Sequence, residues 1–332
     1  MRAVHAAEFG GPEVLSVREV PEPVAEPGQV VVDVAAADVM FLDVQLRSGW
    51  GTEFFPLEPP YVPGGAVAGV ITSVGPDVDP SWIGKRVVTD TAASGIGGGQ
   101  PIGGYAEQAL AKAETLVTVP EGLSMSAAVA LAHDGKTALA IFDRAAIQPG
   151  EWVLITAAGG GLGTLLIQLA RTAGANVVAA ARGSAKLELA ARLGANAVID
   201  YSESDWSTKA RAATGGPGAN VVLDGAGGEL GAGAIEAAVD GGRFIGYGAA
   251  AGQFADFDRE AVAARGINAL GLFDLTGNGD IDWLALTARS LAEAAAGRLE
   301  VVIGQSFPLE QADRAHVAIE SRTATGRTVL TV

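Results

Sequence analysis

The stretch Trp152-Val-Leu-Ile-Thr-Ala-Ala-Gly-Gly-Gly-Leu-Gly163 constrains this chain more than any other. A short apolar run of β-formers enters a glycine turn, and Thr164-Leu-Leu-Ile-Gln-Leu-Ala-Arg-Thr-Ala173 leaves it with helical periodicity. Glycine at Gly160, Gly161 and Gly163 lets the backbone approach a pyrophosphate and lets the helix pack closely on the strand. The first N–H groups and the positive dipole end of that helix then face the anion. Because the chain holds 46 glycines, a glycine run alone carries little weight. The strand before it and the helix after it supply the context that a dinucleotide site requires.

A length of 332 residues allows one large or two ordinary domains. Apolar residues make up 49% of the chain, alanine prominent among them, yet no run approaches the roughly 20 residues that span a bilayer. The opening Met1–Gly10 has an acidic and a glycine interruption and no signal-peptide core, so a soluble, cytoplasmic protein is expected. The net charge of −16 repels phosphate backbones and argues against nucleic-acid binding as a main role. There is no cysteine, which excludes disulfides, thiol nucleophiles and thiolate-bound zinc. His5, His133 and His316 stand far apart and form no ligand motif, so a metal-free site is expected.

Two kinds of periodicity divide the chain. Up to about residue 120 it reads as strands between proline and glycine turns, at Val30–Val34, Ala66–Val74, Gly84–Thr89 and Leu116–Pro120. The segment Ala93–Gly104 reads as a flexible surface loop. From Ser124 helices and strands alternate: helix Ser124–Phe142, the strand and helix around the glycine turn, and strands Asn176–Ala180, Ala197–Asp200, Val221–Asp224, Arg243–Gly246 and Ile267–Phe273. Helices are predicted at Ala185–Leu193, Leu230–Val239 and Trp283–Ala296. Such alternation implies a doubly wound parallel sheet covered on both faces. The end of the chain, with Val301–Ile303, a helix over Leu309–Glu320 and Thr328–Val332, is expected to fold back on the first domain.

The strand after the glycine turn ends Ala179-Ala-Ala-Arg-Gly-Ser-Ala-Lys186, with no acid before Glu188. An acid there accepts the ribose 2′-OH of NAD, whereas cations accommodate the 2′-phosphate of NADP. Arg182 and Lys186, with Ser184 and Tyr201 near them, therefore favour NADPH.

At this point the chain resembles the medium-chain dehydrogenase/reductase superfamily, in its zinc-free quinone oxidoreductase branch. The residues that carry the resemblance run in order from Phe9-Gly-Gly-Pro-Glu-Val-Leu15 through Asp43 to Arg47-Ser-Gly49, Pro63-Gly-Gly65, Ala68-Gly-Val70 and Gly103-Gly-Tyr-Ala-Glu107. They continue with Gly135-Lys-Thr-Ala138, the glycine turn, Leu193-Gly-Ala195, Asp200-Tyr201 and Glu320-Ser-Arg322. The resemblance implies a GroES-like β-rich catalytic domain over 1–122, rejoined by 275–332, and a Rossmann domain over 123–274, with the active cleft where they meet. It implies a homodimer that reduces a quinone or an α,β-unsaturated carbonyl with NADPH. By position, Gly160, Gly161 and Leu162 would face the pyrophosphate, and Arg182, Lys186 and Tyr201 the 2′-phosphate. Thr137, Gly246-Tyr247-Gly248 and Phe273 would line the nicotinamide side.

The departures fall on the substrate side. Zinc-dependent relatives carry a Cys where Met40 stands, and their Gly-His-Glu appears as Gly64-Gly65-Ala66. Quinone oxidoreductases commonly have Asn at the Met40 position, an aromatic at Gln45 and an apolar residue at Lys136. Candidate hydrogen-bond donors at a carbonyl are Tyr105, Gln45 and Lys136, while Lys136 pairing with Asp134 is an equal alternative. Asp43 is either a site organiser or a buried cap. Met40, Phe41, Trp50, Phe54 and Phe55 read as apolar core or as a substrate pocket, with core favoured. His133 reads as a hydrogen-bonded structural histidine rather than a proton relay. Two other functions stay open: an enoyl-thioester reductase, or an NADPH-binding redox-sensing or structural protein with little catalysis.

Overall fold

The computed structural model describes residues 1–276 and 281–332. By internal packing the chain divides into two compact units, Thr137–Asp282 and Met1–Lys136 with Trp283–Val332. The first boundary lies inside the helix Met125–Ala145.

Within Thr137–Asp282 six parallel strands form one sheet. They run across it as Ala197–Asp200, Asn176–Ala181, Trp152–Thr156, Ala219–Asp224, Ala238–Gly246 and Asn268–Gly271. In chain order this is 3-2-1-4-5-6, with the reversal at Trp152–Thr156, the place where open α/β sheets receive a ligand. Both faces are covered, and Val153, Ile155, Val177, Val178, Val221 and Val222 are all buried. That is why these strands read as continuous apolar runs rather than alternating ones. The helix Gly161–Thr172 leaves the first strand and buries Leu165, Leu166, Ile167 and Ala170.

Several elements differ from the sequence reading. The strand expected at Val301–Ile303 is Ile303–Pro308, and the one at Val30–Val34 extends over Gln29–Val39. The helices Trp206–Ala213 and Arg259–Ala264 were not expected. The helix expected at Leu230–Val239 is Gly228–Glu236, and Ala238 already begins the next strand. The strand expected at Ile267–Phe273 spans only Asn268–Gly271, and Leu272–Thr276 turns into a short helix. The reason is local: the Asp274 carboxylate accepts the Gly271 N–H at 2.8 Å and folds the chain out of the extended form.

The other unit is built on a sheet in the order Ile303–Pro308, Arg327–Thr331, Gln29–Val39, Ala66–Val74, Arg86–Asp90 and Val117–Thr118. Gln108–Lys112 pairs with the first half of Gln29–Val39, and Arg327–Thr331 pairs antiparallel with the second half. The hairpin Arg2–Ala6 with Leu15–Glu19 was not legible in the sequence pattern. Ile96, in the segment read as a flexible loop, packs against the buried side chains of this unit. Among the described residues no helix is long and apolar enough to cross a membrane.

The glycine turn depends on contact that excludes a side chain. A Cβ on Gly163 would lie 2.7 Å from the Ala157 carbonyl oxygen and 2.8 Å from Ala158 Cα. Gly163→Ala is therefore expected to lose about 1–3 kcal/mol of unfolding free energy through forced separation of helix and strand. Urea denaturation checks this, and a variant as stable as the parent would contradict the close packing.

Candidate functional site

The turn at residues 157–163 places three amides at the start of a helix. Gly160 is the extended residue before the helix, and the first helical bond is from the Thr164 N–H to the Gly160 carbonyl at 3.0 Å. The N–H groups of Gly161, Leu162 and Gly163 precede that bond and belong to the unsatisfied first turn that binds anions. A Cβ on Gly159 would lie 2.5 Å from Lys186 Cβ and 2.6 Å from its Cγ. The stem of Lys186 thus lies across the glycine turn. Arg182 is exposed at the end of the neighbouring strand. Turn, Lys186 and Arg182 follow the carboxyl ends of two neighbouring inner strands, Trp152–Thr156 and Asn176–Ala181.

Tyr201 is half-buried, its ring edge-on to Trp206 with centroids 6.3 Å apart, and its N–H donates to Ala181 O. An acid also comes to this corner, which the order of residues along the strand does not reveal. The Asp200 carboxylate accepts the Gly183 N–H at 3.1 Å and, on its other oxygen, the Ser202 amide and hydroxyl. The Ser202 hydrogen bonds, joined by Gly183 and the Arg182 charge, hold Asp200 below the usual carboxylate range. Both oxygens are therefore engaged by the turn itself.

A second set of close approaches holds the loop after Asp224, a site residue that sequence reasoning missed. The fully buried Asp224 accepts the Thr156 hydroxyl at 2.5 Å and the amides of Ala226 and Gly227. Burial pushes its carboxyl up, against these hydrogen bonds. The Tyr247 N–H donates to the Asp224 carbonyl, and a Cβ on Gly248 would lie 2.5 Å from the Gly225 carbonyl oxygen. Gly246, Tyr247 and Gly248 thus stand beside this loop at the strand ends. Phe273 is exposed and meets Phe254 edge-on at 6.0 Å. Thr137 is half-buried on the helix Met125–Ala145.

The candidate catalytic residues all fall in the other unit. Asp43 is 2% exposed and accepts the Met40 N–H at 2.8 Å, so it closes the first turn of the helix Phe41–Arg47. Tyr105 is fully buried, donates its hydroxyl to Asp43 at 3.2 Å, and lies 3.2 Å from His316 Nε2. His316 Nδ1 in turn faces the Arg47 guanidinium at 3.4 Å, which also pairs with Glu320. Burial pushes the Asp43 carboxyl up to about 7, and burial with the Arg47 charge pushes His316 down to about 3. The Tyr105 hydroxyl is spent inside this chain of hydrogen bonds, which corrects its expected role as a donor to substrate. Gln45 is half-buried on the same helix. Trp50 and Phe54 are exposed, so neither is core, whereas Phe55 packs beside Leu46, Leu57 and Tyr61.

Lys136 pairs with Asp90 at 2.6 Å, not with Asp134. Asp134 is turned instead to Arg327, at 3.1 Å to each oxygen. Arg327 also pairs with Asp38, and His133 bridges Asp38 at 3.3 Å and Asp90 at 3.1 Å. Three carboxylates and three cations thus form one connected network. Despite burial, its hydrogen bonds to Asp38 and Asp90 raise His133 to about 9. A Cβ on Gly65 would lie 2.3 Å from Met40 Cε and 3.2 Å from His133 Cε1, so a side chain at 65 would displace the Met40 methyl.

The fold, the glycine turn and this pair of units define the class. The chain belongs to the medium-chain dehydrogenase/reductase superfamily and is an oxidoreductase. The family described as alcohol dehydrogenase GroES-like domain matches residues 26–121, and that described as zinc-binding dehydrogenase matches 161–287. Within the superfamily it stands in the quinone oxidoreductase-like branch. It is 32% identical to a quinone oxidoreductase of Sus scrofa, over 99% of this chain and 97% of that one. It is 33% identical to a 2-haloacrylate reductase of Burkholderia sp, over 97% and 96%. The quinone oxidoreductase of Escherichia coli solved in complex with NADPH has a TM-score of 0.88 at 26% identity, with both chains covered completely.

The His133 pairing makes stability depend on pH. Its folded-state pKa of about 9 lies above the roughly 6.5 of an unfolded histidine, so the folded state binds the extra proton between these values. The stabilisation is complete below about pH 6.5 and is lost as pH rises through 9, on the order of 3 kcal/mol. His133→Gln is expected to lower stability at pH 6 and to flatten the decline towards pH 9.5. Urea titrations at both values check this, and an unchanged slope would contradict the paired imidazolium.

Proposed function

We propose that this protein is an NADPH-dependent reductase that delivers hydride to a quinone or an α,β-unsaturated carbonyl without a catalytic zinc. The observation that carries the cofactor assignment is the Lys186 stem laid over Gly159, with exposed Arg182 beside it, next to the amide-lined start of the helix Gly161–Thr172. The residues fit the group: the helix Gly161–Thr172 opens with free first-turn amides, and Lys186 and Arg182 stand beside them. Amides of Gly161, Leu162 and Gly163 hold the diphosphate, and Arg182 and Lys186 hold the 2′-phosphate. Asp200 accepts from Gly183 on one oxygen and from Ser202 on the other, which ties it to the turn beside Arg182.

When bound, the nicotinamide supplies the hydride. Thr156 and Asp224 keep the 225–228 loop in place, and Gly248 lets Tyr247 and its neighbours close on that loop. Such rigidity serves a reaction that depends on positioning. Quinones and enones are electrophilic already, so one polarising hydrogen bond to the carbonyl suffices. Gln45 is the side chain assigned to that bond, since Tyr105 is committed to Asp43 and His316. Zinc independence is supported by the residues present: there is no cysteine, and the Met40 methyl and His133 stand against Gly65. The similarity to quinone oxidoreductases supports the acceptor class, and a haloacrylate is itself an α,β-unsaturated carbonyl compound.

The test is NADPH oxidation in the presence of 9,10-phenanthrenequinone and but-3-en-2-one, and turnover of at least one is expected. Lys186→Ala should raise KM for NADPH about tenfold or more, the value of a charge-assisted hydrogen bond, and leave KM for NADH within about twofold. Equal effects on the two cofactors would remove Lys186 from the 2′-phosphate. Binding of NADPH with no oxidation by either acceptor would sink the reductase reading.

A further inference from the structure

A cavity of about 140 Å³ lies beside the Lys136–Asp90 pair, within the unit Met1–Lys136 with Trp283–Val332. Its walls are largely apolar, with Val88, Val117, Ala132, Trp283 and Leu284 contributing. An apolar cavity of roughly 150 Å³ takes up benzene, so a six-membered ring matches this one in size.

The polar groups on its wall select what such a ring should carry. Thr115 and Thr287 donate their hydroxyls to the carbonyls of Lys112 and Trp283, each at 2.9 Å, and Thr89 shares a hydrogen bond with Thr115 at 3.3 Å. Asp90 is saturated as an acceptor: one oxygen takes the amides of Ala92 and Ala93, the other takes His133 and Lys136. Lys136 is different. Among the described residues its hydrogen bond goes to Asp90 alone, which leaves two of three ammonium N–H donors for another acceptor. The surrounding network already balances, with Asp38, Asp90 and Asp134 against His133, Lys136 and Arg327. An added carboxylate would leave one buried negative charge uncompensated, whereas a neutral oxygen would not.

The geometry points to a binding site for a small neutral cyclic carbonyl compound, its ring against Val117, Trp283 and Leu284 and its oxygen accepting from Lys136 Nζ. None of the residues assigned to the cofactor lines this cavity, so the site stands whether or not the chain reduces quinones.

Cyclohexanone, benzene and cyclohexanecarboxylate, titrated separately into the full chain without nucleotide and followed by ligand-observed NMR, test the assignment. Cyclohexanone is expected to bind with millimolar or better affinity, and the carboxylate at least about tenfold more weakly. Ala132→Leu fills the cavity and should abolish binding of both cyclohexanone and benzene. Lys136→Met keeps the volume and removes the donor, and should weaken cyclohexanone about tenfold while benzene changes less than about twofold. Should Ala132→Leu not fold, Leu284→Trp serves in its place, because Leu284 is 41% exposed and tolerates a larger group. Absence of cyclohexanone binding, binding that survives both filled variants, or equal loss of both ligands in Lys136→Met would overturn the proposal.

Discussion

The approach of the helix Gly161–Thr172 to the end of the strand Trp152–Thr156, too close for a Cβ at Gly163, fixes what this molecule can bind. Because the helix begins so near the strand, its first amides open at the switch point of a 3-2-1-4-5-6 sheet. The same economy of side chains recurs around it. Gly159 admits the stem of Lys186, and Gly225 and Gly248 let two strand ends meet backbone to backbone. Thr156 and Asp224 then satisfy the loop amides that this contact leaves inside the protein, which accounts for a carboxylate that is fully buried. Substitution at Gly163 or Gly248 acts through the backbone, whereas at Gly159 and Gly225 it displaces Lys186 and Tyr247.

The other unit is organised around charge. Its six-membered network joins the strands carrying Asp38, Asp90 and Arg327 to the helix that carries His133, Asp134 and Lys136. Burying that many ions is costly unless each is paired, and here the two signs cancel. The pairing also fixes the rotation of the helix Met125–Ala145, one residue short of Thr137. Beside the network, Met40 and His133 fill the space at Gly65 that a larger side chain would need. A parallel arrangement governs Asp43, Tyr105, His316 and Arg47, where donors run in one direction from a guanidinium to a carboxyl.

What could be read from the sequence was set by local periodicity. The parallel strands announced themselves as apolar runs bounded by glycine, and the glycine turn was legible because strand and helix flank it directly. The ionic network was not legible. Lys136 and Asp134 are two residues apart on a helix and so face different ways, whereas the true partner, Asp90, lies 46 residues away. Arg327 and Asp38 are 289 residues apart and meet only through the pairing of their strands. Asp38 itself gave no sign of burial, because the same strand carries a second acid, Asp33, that is exposed. The burial of Tyr105 was not legible either, because its slot is made by an absence: a Cβ on Gly64 would lie 2.4 Å from the Tyr105 ring. The contact of Asp200 with the Gly183 turn was not legible, because Asp200 belongs to the next strand and the two are 17 residues apart.

The central claim is that a 2′-phosphorylated dinucleotide rests on this glycine turn. Calorimetric titration of the protein with NADPH and, separately, with NADH tests it directly. The expected result is saturable binding of one NADPH per chain, with NADH at least about tenfold weaker for want of the phosphate proposed to meet Arg182 and Lys186. Saturable binding of neither nucleotide, or NADH bound as tightly as NADPH, would contradict it.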